Sequence, residues 1–174
     1  MKPYHLLTAV LAGTLLTASP ALADTLWVEP GGNIQDALNR AGFGDEVRVR
    51  PGIYNGGVTI PRDGVRLVSD QPGGAHIIAG GDDEPAIGSY GKSSVAVIGF
   101  QLSSIRGDGV KIGGSPGNNA SDITFQNNTV RTAAKDGGQV FPGRSLFAPS
   151  LVYIGRSFTF CYIPTWFLAS QPNF

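Results

Sequence analysis

The feature that most constrains this chain is that it repeats itself. Residues 94–112, SVAVIGFQLSSIRGDGVKI, align without a gap on residues 122–140, DITFQNNTVRTAAKDGGQV. The offset is 28 positions: Val95 falls on Ile123, Val97 on Phe125, Leu102 on Val130, Asp108 on Asp136 and Gly109 on Gly137. Upstream, Val47 and Ile77, Val49 and Ala79, Val65 and Val95, and Leu67 and Val97 are each 30 positions apart. Short strands that return together at a near-constant period define a stacked-repeat architecture, in which each repeat buries its inner face against its neighbours. The period predicts a parallel β-helix of three to four rungs, with three short strands per turn and residue i beside i+28 to i+30.

The local pattern fits. EVRVR (46–50), GVTI (57–60), VRLV (65–68), HIIA (76–79), SVAVIGFQL (94–102), GVKI (109–112) and DITF (122–125) alternate apolar and polar residues, the period of a half-buried strand. Between them lie PGIYNGG, PRDG, DQPGG, GGDDEP, SSIRGDG and GGSPGNN, which are rich in turn residues. One segment differs. In NIQDALNRAGFG (33–44), Ile34, Ala37, Leu38 and Ala41 share a helical face, Asn33 can cap the start, and Asp36 suits the first turn. A helix over 33–42 is therefore expected to cover the open end of the first rung, as terminal caps do in stacked repeats. The fold class expected is all-β, a parallel β-helix with an N-terminal α-helical cap.

Composition narrows function. The 174 residues carry 13 basic and 13 acidic side chains, a net charge of zero. That argues against general attraction to nucleic acid or an anionic membrane. Lys2, the apolar run Leu6–Leu16 and the small-residue ending Ala21-Leu22-Ala23 have the layout of a secretory signal peptide, so 1–23 is read as a leader and the product as secreted or periplasmic. The only cysteine, Cys161, leaves no internal disulfide. Stability is expected from the stacked coil over 24–137 instead.

IQDALNRAGFGDEVRVRPGIYNGGVTI (34–60), VIGFQL (97–102), GDGVKI (107–112) and ITFQNNTV (123–130) resemble the secreted right-handed β-helix proteins of the pectate-lyase-like superfamily. The order helix, Gly-Asp, strand, Pro-Gly-x-Tyr is similar to the N-terminal cap and first rung of that group. The resemblance implies a right-handed coil and work on acidic polysaccharides. It does not choose among lyases, hydrolases, esterases, C5-epimerases and non-catalytic accessory proteins, because fold alone does not fix chemistry.

The candidate glycan-binding residues come from the repeated turn: Arg106, Asp108 and Lys111 on one rung, Lys135 and Asp136 on the next. Asp108 and Asp136 should stack about 4.8 Å apart, the strand spacing, and Lys111 should face outward between Val110 and Ile112. Such a face could hold a uronic-acid polymer, and a Lys or Arg could abstract the proton at C5. The competing reading is that Asp-Gly merely forms the turn and these side chains are solvated. No metal site and no cofactor are assigned, although paired Asp, or Asp82-Asp83-Glu84, could hold Ca²⁺. Arg48, Arg50, Arg62 and Arg66 could form a basic stripe or a solvated strand face. His76 stands isolated in the sequence. With few rungs to form a groove, a non-catalytic protein that binds or assists processing of an acidic polysaccharide ranks first. A lyase or C5-epimerase acting by proton abstraction is the alternative.

The pattern changes after Gly137. All 13 acidic residues lie at or before Asp136, whereas nine of the 16 aromatics lie in 138–174. An aromatic cap or a frameshifted, non-native extension would each produce this tail. The abrupt change in mid-rung favours the second. Pro164, Gly155 and Arg156 interrupt its apolar runs, so no membrane span is expected.

Overall fold

The structure is a computed structural model. It describes residues 23–113 and 120–133 and, as backbone, the strand segments 138–140, 145–147, 152–153 and 158–160. In chain order the elements are β1 (Thr25–Val28), α1 (Ile34–Arg40), β2 (Glu46–Val49), β3 (Gly52–Asn55), β4 (Val58–Ile60), β5 (Arg66–Ser69), β6 (Ala75–Ala79), β7 (Ile87–Tyr90) and β8 (Ala96–Ile98). They continue as β9 (Gln101–Ser104), β10 (Val110–Gly113), β11 (Ile123–Gln126), β12 (Thr129–Ala133), β13 (Gly138–Val140), β14 (Ser145–Phe147), β15 (Val152–Tyr153) and β16 (Phe158–Phe160). Every strand pairing is parallel, and the strands form three stacked sheets. The first runs β1-β2-β5-β8-β11-β14, the second β3-β6-β9-β12-β15 and the third β4-β7-β10-β13-β16. The chain visits the sheets in rotation, which is a parallel β-helix-like coil with one short helix among the described residues.

The core is a set of columns running through the rungs. In the first sheet Val47, Leu67, Val97 and Phe125 stack in register, with Leu26 partly buried above them. Tyr54, Ile77, Leu102 and Val130 form the column of the second sheet, and Val58, Ile87 and Val110 that of the third. All but Leu26 are buried. A polar residue in any column would lose hydrogen bonds to water. Ser89, between Ile60 and Ile112, shows this: its buried hydroxyl has no hydrogen-bond partner among the described residues.

The register corrects the expected period. Leu67 does sit beside Val97, 30 positions on, and Val95 does precede a strand pairing offset by 28. Val47, however, pairs with Leu67 rather than reaching Ile77, and Ile77 pairs with Tyr54. The first coil is shorter because the loops at 70–74 and 80–86 belong to the second. Corners do not face the core, so their length is free to vary. The run 94–102 is also two strands. Gly99, at φ 83°, turns the corner between β8 and β9. Buried Asn128 spans that corner: it accepts from Phe100 N–H and its amide donates to the Val97 carbonyl, both at 2.8 Å. β1 and β7, as well as β3 inside PGIYNGG, were not expected as strands.

The helix forms as its pattern requires, slightly shorter than 33–42. Asn33 accepts from Asp36 N–H, Ile34, Ala37 and Leu38 are buried, and extended backbone at Ala41 ends it. The helix lies against β1, β2 and β4, over the first coil. Gln35 adds a second function. Its amide donates to the Thr59 carbonyl and accepts from Thr59 N–H, pairing with the outer edge of β4 as a neighbouring strand would.

Pairing continues beyond the expected break. Gly138 lies beside Val110 and Val140 beside Ile112, as the repeat predicts, and β14, β15 and β16 add to the three ladders. The remainder of 138–174, with Cys161 and Pro164, lies outside the described residues. So does the 1–22 part of the expected leader. No helix among the described residues is long and apolar enough to cross a membrane.

Candidate functional site

The repeated turn is held by its predecessor. Ser104 Oγ donates to the Glu84 carbonyl and accepts from Gly107 N–H. Ala86 and Ile87 N–H donate to the carbonyls of Asp108 and Gly109. Gly107 is obligatory for this stacking, because a Cβ there would collide with the Glu84 backbone. The turn delivers Asp108 and Lys111 to the start of β10.

Lys111 faces outward, one third exposed, between buried Val110 and Ile112, as the alternation requires. Its Nζ lies 3.8 Å from the Asp108 carboxylate. Asp108 is only 3% exposed, so it is not the solvated turn residue that the alternative reading required. In register, Lys111 lies beside Gly88, and the ring of Tyr90 reaches over Gly88. Tyr90 is 43% exposed. Burial, and then the charge of Asp108, push its hydroxyl above the usual tyrosine range. The outer face of the third sheet therefore brings together an ammonium, a buried carboxylate and a half-exposed aromatic ring, supported on a glycine.

Arg106 sits apart from this cluster. It makes a 2.8 Å ion pair with Asp82 in the preceding turn, and both side chains are largely exposed. Lys135 and Asp136 lie outside the described residues. Glu84 is drawn away from metal ligation: its carboxylate accepts from the backbone N–H groups of Gly57, Gly80 and Gly81. Among the described residues no three His, Cys, Asp or Glu side chains gather to hold a metal ion.

The arginines near the first rung form no free basic stripe. Arg48 pairs with Glu46 at 2.6 Å and with Asp70 at 3.6 Å; Arg50 pairs with Asp70 at 3.1 Å and with Glu29 at 3.5 Å; Arg66 pairs with Glu46 at 3.3 Å. Arg50 also stacks 4.1 Å from the centre of the Trp27 ring. Arg62 donates to the Ala41 carbonyl, holding the end of the helix.

Two residues escaped the sequence reading. Tyr90 belongs to a strand that the inward Ser89 disguised. His76 is not isolated, because its Nε2 lies 2.9 Å from Ser103 Oγ on the neighbouring strand. Burial, followed by the charge of Arg131, holds the His76 imidazole below its usual pKa.

Comparison with known proteins returns no match to a family model, to a curated protein or to a solved structure.

Proposed function

We propose that this chain is an exported right-handed parallel β-helix of the pectate-lyase-like kind. On this reading it binds an acidic polysaccharide on the outer face of its third sheet, or assists its processing, without catalysing a reaction itself. One arrangement carries the reading: Lys111, positioned by buried Asp108, beside the Tyr90 ring over Gly88. A uronic-acid unit presents an apolar ring face and a carboxylate. The tyrosine ring suits the first and the ammonium suits the second. Arg106, shared with Asp82, borders the same turn and offers a further cation at its rim. A lysine already facing a carboxylate supplies charge to a ligand. To abstract a proton at C5 it would first have to leave that partner, which supports binding over lyase or epimerase chemistry.

The test is affinity electrophoresis through gels containing polygalacturonate, alginate or heparin, with ultraviolet absorbance recorded for unsaturated product. Retardation by at least one polymer, lost in Lys111→Ala and without product, is the expected outcome. Absence of retardation by all three contradicts the proposal. Product formation abolished by Lys111→Ala would establish the lyase alternative instead.

A further inference from the structure

The three sheets end differently at the helix end of the coil. The first sheet is extended by β1. The outer edge of the third is paired by Gln35. Among the described residues the second sheet ends at β3, with no strand beyond it. The hydrogen bonds of β3 show which groups are left over. Gly52 N–H and Gly56 N–H donate inward to the carbonyls of Gly74 and Ile78. Backbone groups of alternate residues point to opposite sides of a strand, so the N–H and C=O groups of Ile53 and Asn55 point to the free edge. Among the described residues no hydrogen bond engages them. Ile53 and Asn55 line a cleft of about 330 Å³ together with Gly31, Gly32 and Asn33. Gly31 and Gly56, at φ 82° and 96°, leave open space where side chains would stand.

We propose that this cleft is a binding site for an extended, uncharged peptide segment, which adds to β3 as a further strand of the second sheet. Two donor–acceptor pairs two positions apart match the backbone of an extended chain. No charged residue lines the cleft, and the carboxylates nearest to it are held by the fold, Glu84 by backbone N–H groups and Glu29 by Arg50. This disfavours an acidic glycan and leaves no free partner for a charged peptide. Asn33 and Gln35 already spend their side chains on Asp36 and Thr59, which leaves the strand edge as the recognition element. Ile53, 64% exposed, offers an apolar contact on the outer face. The site shares no residue with the Lys111 cluster and does not depend on glycan binding.

The experiment presents the chain with a library of acetylated, amidated heptapeptides built from Ala, Val, Thr and Ser. Amide hydrogen exchange is then followed by NMR. The expected result is retention of at least one peptide, with exchange at Ile53 and Asn55 slowed about tenfold at saturating peptide and exchange at Thr124, inside the first sheet, unchanged. N-methylation of the peptide nitrogens that face β3 should abolish the effect. Failure to retain any peptide, or protection elsewhere, overturns the proposal. So does protection of Ile53 and Asn55 that grows with protein concentration alone, which would assign the edge to a second copy. Equal protection by cellohexaose, a neutral glycan, would overturn it as well.

Discussion

The outer faces of the first and third sheets both carry cations, in opposite circumstances. On the first, Arg48, Arg50 and Arg66 share Glu29, Glu46 and Asp70, and Trp27 stacks on Arg50. Three positive charges meet three negative ones, so each arginine already has a carboxylate partner although it stays partly exposed. On the third, Lys111 is no more exposed than those arginines, but its carboxylate partner is buried and the Tyr90 ring beside it is itself partly exposed. The difference shows that counting cations along strands does not locate a binding surface. In a parallel coil the rungs bring each side chain beside neighbours 20 to 30 positions away. Those neighbours decide whether a charge is spent within the fold or offered to a ligand.

The comparison rests on one shared core beneath both faces, and the largest predicted effects test that. Leu67→Ala under the first sheet and Ile112→Ala under the third should each cost about 2–5 kcal/mol in urea unfolding. Both side chains are fully buried in columns that cross several rungs. A large loss from one and none from the other would break the account of a continuous coil. A smaller effect separates the faces. Asp70→Asn removes the ion pairs to Arg48 and Arg50, and should cost about 1 kcal/mol or less, because these partly exposed pairs are screened. It should also release cations, so that retardation by polygalacturonate rises above wild type. Unchanged retardation would mean that the arginines are available already. The smallest effect concerns His76 on the second sheet. Its folded pKa lies below the ordinary 6.5, mainly through burial. Its contribution to stability should be fully present above that value and lost as pH falls through the folded pKa. The difference in unfolding midpoint between wild type and His76→Gln, measured across this window, should shrink on acidification. A difference that grows would contradict the assignment.

Much of the fold was legible because inward positions are under strict control. Val97 and Phe125, Leu102 and Val130, and Val110 and Gly138 stand in the register that the 28-residue repeat predicts. Asn33 caps the helix whose apolar face the spacing defined. Other parts were hidden for identifiable reasons. β3 places only Tyr54 inward within PGIYNGG, so its composition reads as a turn. β7 presents Gly88 and Ser89, a pattern without aliphatic alternation. The offset between Val47 and Leu67 depends on corner length, which the core does not constrain. The candidate site was half legible. Outward-facing Lys111 followed from alternation, whereas the burial of Asp108 and the approach of Tyr90 depend on contacts between rungs that no single strand displays.

The most direct measurement compares the two faces in one assay. Lys111→Ala and Arg66→Ala each remove one cation, and both variants are run with wild type through the same polygalacturonate gel. The account predicts that Lys111→Ala loses retardation and that Arg66→Ala keeps it, since Arg66 is committed to Glu46. Equal losses would contradict it, because binding would then follow total charge and not the geometry of the third sheet.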